Sequence, residues 1–163
     1  MGFSISGIAI NRNIKKELSS FFAFNGFNID ANEDEEIDFL DAMDSFKGDG
    51  IVDIYFSIKS TIIFVDQKIS LRPYFIEKGK VLTFDYHENS MAFYMDYCEN
   101  DKLIRRAVEI DGEYNEQIGE PLDCEIEYDD LSGAIPEMIE SLTGVDIFGT
   151  DEEICQRYFI KAI

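Results

Sequence analysis

One histidine, His87, lies two residues after Asp85 and directly before Glu88. A histidine that an acid orients can act as a general base, provided that it faces a substrate site. Asp85 and His87 share one face of a predicted strand, but two carboxylates beside an exposed imidazole mainly stabilise its charged form. Cys98 lies at the far end of the neighbouring predicted strand, which argues against a Cys–His pair. We therefore predict no catalytic residue and expect that the protein is not an enzyme.

The segment that begins at Asp30 has part of the spacing of a calcium-binding EF-hand loop. Asp30, Asn32 and Asp34 occupy the first, third and fifth places of such a loop, and Asp41 occupies the twelfth. The sixth place holds Glu35, whereas an EF-hand loop needs glycine there for its sharp turn. We therefore predict no EF-hand and no specific metal site.

Three cysteines, Cys98, Cys124 and Cys155, are odd in number and widely spaced. This arrangement suits neither a disulfide framework nor a zinc-binding pattern. The chain also lacks a glycine-rich phosphate loop and an HExxH sequence. The sequence therefore predicts three reduced thiols and no cofactor.

Carboxylates are the chemical group that this chain carries in excess. Its 163 residues include 34 Asp and Glu against 14 Lys and Arg, so the formal net charge is -20, although 45% of the residues are hydrophobic. Solubility requires a far smaller charge. Double-stranded nucleic acid and anionic membranes are bound through Lys and Arg, so the composition argues against both as partners. A basic protein partner is favoured because opposite charges speed encounter.

Two segments concentrate the acidic residues and are the candidate partner-binding sites. The first acidic cluster comprises Asp30, Glu33, Asp34, Glu36, Asp38 and Asp41. The second acidic cluster comprises Glu120, Asp123, Glu125, Glu127, Asp129 and Asp130. Neither cluster has basic residues nearby in sequence that would neutralise it. The alternative for each cluster is an ordinary solvated surface.

The elements that position these groups include a predicted three-stranded antiparallel meander over residues 81–110. Side chains alternate between the two faces of a strand, and apolar residues must face apolar residues across the pair. A loop of even length after Tyr86 satisfies this condition, whereas a loop of odd length does not. The predicted register sets Leu82, Phe84 and Tyr86 opposite Met95, Phe93 and Met91, and it sets Tyr97, Phe93 and Met91 opposite Ile104, Val108 and Ile110.

The same register makes predictions for three charged residues of the meander. Asp96 lies opposite Arg105, and both stay on the outer face of the sheet. Arg106 points to the apolar face, where it either pairs with an acid or extends to the solvent.

Turn, cap and periodicity signals divide the rest of the chain. The predicted elements are a strand over 3–10, a helix over 12–24, an acidic amphipathic helix within 30–49, strands over 51–58 and 61–71, a fourth meander strand through Tyr114 and Ile118, an edge strand over 124–128, a helix with Pro136 in its first turn that Gly144 ends, and a last helix from Thr150. These elements predict one domain, 1–163, of the α+β class. Its sheet is mainly antiparallel, with the meander at about 81–118, and helices pack on one face or at the ends.

Several short segments of the second half of the chain carry a resemblance. They are Leu82-Thr-Phe-Asp-Tyr, Glu88-Asn-Ser-Met-Ala-Phe and Gly119-Glu-Pro-Leu, with Gly144 beyond them. These segments resemble small uncharacterised bacterial proteins, some of which resemble immunity proteins of polymorphic toxin loci. The resemblance implies a bacterial source, and it assigns no site residue.

The first residues lack the basic segment and long apolar run of a signal peptide, and no stretch approaches the roughly 20 apolar residues of a membrane span. We therefore expect a cytoplasmic location. The charge then predicts a non-catalytic acidic binding protein, and an immunity-type inhibitor of a basic toxin is the leading specific hypothesis. The alternatives are a general protein-interaction or regulatory module of unknown partner and a DNA-mimic inhibitor.

Overall fold

In the described residues, which are 2–150 and 152–163, a single sheet of nine strands organises the fold, and neighbouring strands run antiparallel. The computed structural model describes all of these residues except the side chains of 31–34. The strands are β1 (Ser4–Ile10), β2 (Phe27–Asp38), β3 (Ile51–Phe56), β4 (Thr61–Phe64), β5 (Lys80–His87), β6 (Ala92–Glu99), β7 (Lys102–Ile110), β8 (Glu113–Ile118) and β9 (Ile154–Ala162). Their order across the sheet is β2-β9-β3-β4-β1-β5-β6-β7-β8. The predicted α+β class with a mainly antiparallel sheet is confirmed.

Short helices accompany the sheet. They are α1 (Leu18–Phe24), α2 (Phe39–Ala42), α3 (Asp123–Glu127) and α4 (Leu131–Thr143). Single turns of 3-10 helix occur at Lys15–Glu17 and Gln67–Ile69. Within the described residues, each helix is too short or too polar to cross a lipid bilayer.

The sheet buries apolar side chains on both of its faces, because successive residues of a strand point in opposite directions. On β1, Ile5 and Ala9 belong to the core that also contains residues of α2, α3 and α4, and we call this side the first face. Ile8 and Ile10 belong to the core that contains α1, on the second face. Helices therefore pack on both faces, whereas the sequence predicted one face or the ends.

A proline inside α4 is compensated by the sheet. Pro136 lies in the second turn, not in the first as predicted, and it has no N–H to donate to the carbonyl of Ser132. The hydroxyl of Tyr86 donates to that carbonyl at 3.0 Å. The helix ends as predicted at Gly144, whose φ of 75° favours glycine.

The β5–β6 hairpin has the predicted loop of even length but a shifted register. Leu82, Phe84 and Tyr86 lie opposite Tyr97, Met95 and Phe93, and residues 88–91 form the turn. Phe93 and Met95 are buried as predicted. Met91 lies in the turn with a φ of 50° and is 48% exposed, so the prediction that it is buried is wrong.

A β-bulge in the β6–β7 hairpin changes which residues of β7 face the core. Tyr97 lies opposite Arg105 and Cys98 lies opposite Leu103, so Ile104 is the additional residue on β7. One extra residue moves every later side chain of the strand to the other face.

The bulge overturns the predicted positions of the meander's charged residues. Arg105 points to the first face and is buried, whereas the prediction placed it outside. Asp96 is also buried, and it lies opposite Arg106 rather than Arg105. Val108 and Ile110 lie opposite Tyr94 and Ala92 on the second face, not opposite Phe93 and Met91 as predicted.

Three predicted elements adopt a different secondary structure. Residues 30–38 belong to β2 rather than to an acidic helix, Ile154–Ala162 forms β9 rather than a last helix, and Asp123–Glu127 forms α3 rather than an edge strand. β2 and β9 pair with each other on both sides of an irregularity between Asp30 and Glu35. Pairing between these distant segments outweighs their local helical spacing, because strand formation depends on tertiary context.

The three cysteines are free thiols buried in the protein. Burial is the main cause that raises the pKa of Cys124 to about 11 and the pKa of Cys98 and of Cys155 to about 12. Because the thiolate is the reactive form, we expect no rapid reaction of the native protein with Ellman's reagent near neutral pH, and reaction of all three thiols in denaturant. A thiol that reacts within seconds in the native protein contradicts this prediction.

Candidate functional site

The first acidic cluster follows an edge of the sheet. Its exposed members are Asp30, Glu36 and Asp38 on β2, which is the outermost strand on that side, and Asp41 on α2. Glu33 and Asp34 have side chains that lie outside the described residues. Arg157 of β9 forms an ion pair with the neighbouring Glu35 at 3.2 Å, so a base compensates part of this edge.

The second acidic cluster borders a groove on the first face of the sheet. The groove has a volume of about 630 Å³ and lies between the β6–β7 hairpin, residues 120–122, α3 and α4. Its lining contains no lysine or arginine and five carboxylates, which are Glu99, Glu120, Asp123, Glu127 and Glu137. The other lining residues are Tyr97, Ile104, Pro121, Leu122, Cys124, Met138 and Ser141. We call this site the acidic groove.

Carboxylates from α3 and α4 act together on Tyr128, the residue that follows α3. Glu137 is the main cause that raises the pKa of the Tyr128 hydroxyl above its ordinary value, and Glu127 and Glu140 raise it further. The hydroxyl donates a hydrogen bond to Glu137 at 3.3 Å. Like charges that converge on a concave surface concentrate the electrostatic potential there. Two of the groove carboxylates, Glu127 and Glu137, thus act on one phenol beside the acidic groove.

A buried arginine fixes one wall of the groove to the sheet. Arg105 donates to both carboxylate oxygens of Glu125, at 2.7 and 3.0 Å, and both side chains are almost fully buried. Arg105 also donates to the carbonyl of Gly119 at 2.9 Å and to the side chain of Gln117 at 2.9 Å. Glu125 accepts from the N–H of Leu122 at 2.8 Å. These bonds position the chain from Gly119 through α3, which carries three of the groove carboxylates.

The structure places the predicted members of the second acidic cluster in different environments. Three of them line the acidic groove, namely Glu120, Asp123 and Glu127. Glu125 is buried against Arg105 and cannot reach a partner. Asp130 caps α4 by accepting from the N–H of Gly133, and Asp129 is exposed after α3.

Sequence reasoning missed two carboxylates of the groove, Glu99 and Glu137. Glu99 ends β6 and Glu137 lies on α4, so only the packing of α4 against the sheet brings them together. The helical spacing of Ile135 and Ile139 predicts the buried side of α4 and leaves Glu137 outside it. That spacing is the sequence signal that could have placed Glu137 on the exposed side of α4. No comparable signal indicates Glu99.

A second polar arrangement surrounds His87 on the second face. Asp85 is buried, accepts from Ser6 Oγ at 2.5 Å and from Ser70, and lies 3.1 Å from His87 Nε2. His87 Nδ1 lies 2.6 Å from Ser4 Oγ. An acid that orients a histidine next to a hydroxyl can relay a proton. The same bonds also have a structural role, because they join β1, β5 and the segment after the 67–69 turn. The absence of a catalytic residue therefore stays a prediction.

Within the described part of the chain, no three side chains of His, Cys, Asp and Glu are grouped as metal ligands. The chain matches no protein-family model, no curated protein and no solved structure. Geometry and charge therefore carry the functional argument.

Proposed function

We propose that this chain is a non-catalytic acidic protein that binds a basic segment of a protein partner in the acidic groove. The lining of the groove carries the proposal, because it combines five carboxylates with apolar side chains, which we call the apolar floor, and contains no lysine or arginine. Complementary charge steers a basic partner toward such a surface and disfavours acidic partners.

The apolar floor favours a partner segment in which basic and apolar residues alternate. Ile104, Leu122 and Met138 lie among the carboxylates. Apolar side chains of the partner pack on this floor, and so do the aliphatic stems of lysine and arginine while their charged ends reach the carboxylates. A DNA mimic copies a row of phosphates, which has no apolar floor, so the groove supports that alternative less.

Within this function, we propose an immunity-type inhibitor of a basic toxin domain, located in the cytoplasm. A net charge of -20 accelerates the encounter with a basic toxin, and a groove that covers a basic segment blocks it by occlusion. In the alternative function, a regulatory module, this chain binds a different basic partner in the same groove.

Neutralising the groove is expected to weaken its binding of a basic peptide. The groove variant combines Glu120→Gln, Asp123→Asn and Glu127→Gln, and the edge variant, with the same change in net charge, combines Glu36→Gln, Asp38→Asn and Asp41→Asn. The probe is a short fluorescent peptide in which lysine and leucine alternate, and fluorescence anisotropy measures its Kd. We expect the groove variant to bind about tenfold more weakly, since three exposed charge pairs contribute roughly 0.5 kcal/mol each. The edge variant should keep most of the affinity.

Two controls separate specific binding from general attraction. Replacing leucine with serine in the peptide should weaken binding, because the apolar floor then has no partner. Raising the salt concentration should slow association of the wild-type protein toward the rate of the groove variant. If the groove and edge variants lose equal affinity for the peptide, or if replacing leucine with serine leaves the affinity unchanged, the charge acts over the whole surface.

A further inference from the structure

The second face of the sheet contains a cavity on the opposite side from the acidic groove. Its volume is about 490 Å³, which is within the range of small-molecule sites. Residues of β5, β6 and β7 form its floor, and Gln67, Lys68 and Leu71 form one wall.

The second face changes its chemical character between α1 and this cavity. In the core that contains α1, the strands contribute apolar side chains such as Ile8, Val52 and Ile63. At the cavity, the strands also contribute two ionisable groups, Asp85 and His87, beside the apolar Ala92, Val108 and Ile110. Even when they are paired, buried ionisable groups often contribute less stability than apolar side chains of similar volume. Positions that depart from the best packing of a fold tend to be functional, so this half of the face is a candidate binding site.

Hydrogen bonds hold the floor of the cavity in one arrangement. The ring of His87 is bonded through both nitrogens. The hydroxyl of Tyr94 donates to Asp96, which also accepts from Arg106 at 2.7 and 3.0 Å. The polar atoms of these two rings are already bonded, so the rings offer flat, mainly apolar surface to a ligand. A floor that is fixed in advance loses little entropy when a ligand binds.

The mouth of the cavity carries an exposed positive charge on a protein whose net charge is -20. The side chain of Lys68 is 76% exposed, and its Nζ lies 3.9 Å from Asp49, at the outer limit of an ion pair. Gln67 adds an amide group to the same wall. An ammonium and an amide N–H together suit a carboxylate, a group that most of this surface repels.

We propose that this cavity binds a small amphiphilic carboxylic acid, such as a medium-chain fatty acid. Its apolar body packs against Leu71, Tyr94 and Val108, and its carboxylate binds Lys68 and Gln67. The cavity and the acidic groove lie on opposite faces of the sheet, so this inference goes beyond the proposed function and does not depend on it.

The test compares decanoate with decyltrimethylammonium, which has the same tail and the opposite charge. General attraction to a protein of net charge -20 favours the cation, whereas the proposed site favours the anion. We expect amide NMR titration with decanoate to saturate, with shifts centred on Tyr94 and Val108, and the cation to bind about fivefold more weakly. Equal or tighter binding of the cation, or shifts centred on the acidic groove, would overturn the proposal.

Variants then separate the head group from the tail. Lys68→Gln should weaken decanoate binding about fivefold and leave the binding of decanol, which is neutral, unchanged. Lys16→Gln removes an exposed lysine outside the cavity and should change neither. Ala92→Trp fills the cavity and should abolish the binding of both, with thermal unfolding measured to establish that the variant folds. If Lys68→Gln behaves like Lys16→Gln, the carboxylate does not bind at Lys68 and the proposal fails.

Discussion

Replacing Arg105 with Met lowers the free energy of unfolding by about 3 to 5 kcal/mol, because it leaves the carboxylate of Glu125 buried without its charged partner. Both side chains of this pair are almost fully buried in the native protein. The substitution also removes the donor to the carbonyl of Gly119. Urea denaturation monitored by circular dichroism measures the change.

The double variant Arg105→Met with Glu125→Leu is the control for this prediction. It removes the carboxylate together with the arginine, and replacing a buried ion pair by apolar residues of similar volume is often close to neutral. We therefore expect the double variant to be more stable than Arg105→Met alone. If the single variant is as stable as the wild-type protein, Arg105 does not hold α3 to the sheet.

Truncating Phe93 to Ala costs about 3 to 5 kcal/mol, the usual range for the loss of a buried phenylalanine. Phe93 is 4% exposed, and its ring centroid lies 5.0 Å from that of Tyr86 in an edge-to-face contact. Tyr86 in turn donates to the carbonyl of Ser132 in α4, so the cavity left by Phe93 lies beside the contact between sheet and helix. The midpoint of urea denaturation should fall accordingly.

Met91→Ala is the matched control, because Met91 is near Phe93 in sequence but is exposed in the turn. We expect its stability to stay within about 0.5 kcal/mol of the wild-type value. If the two substitutions cost the same, the register of the β5–β6 hairpin is different from the one described.

The meander illustrates what alternation in a sequence can predict. The pattern at Leu82, Phe84 and Tyr86 predicted which residues of β6 share their face, and the buried Phe93 and Met95 confirm it. The pattern does not determine where the turn is centred, so each residue of β5 lies opposite the β6 residue two positions beyond the predicted one. The pattern also does not predict the bulge at Ile104. The bulge exchanges the faces to which the later side chains of β7 point.

The segments that form β2 and β9 illustrate the limit of helical spacing. Ile37, Leu40 and Met43 are spaced as on one side of a helix, yet Leu40 is 53% exposed and only Phe39–Ala42 is helical. The strand exists because β9, which lies far away in sequence, pairs with it. The local pattern of a segment does not identify that partner, so it led to the wrong element.

The acidic groove could be predicted only in part, for the same reason. Glu120, Asp123 and Glu127 stood out as a charged segment, whereas Glu99 joins them through the fold. Glu125 belonged to the same charged segment, yet it is buried because the bulge turns Arg105 inward. Charge density in a sequence thus indicated the region, and only the tertiary structure separates groove residues from buried ones.

An NMR titration of the wild-type protein with the alternating lysine–leucine peptide tests the central claim most directly. Amide shifts should centre on Glu99, on residues 120–127 and on Glu137, because these residues line the acidic groove. They should be small along β2, even though its edge is also acidic. Shifts that are centred on β2, or that spread evenly over the acidic surface, would contradict the assignment of the acidic groove as the site where a basic partner binds.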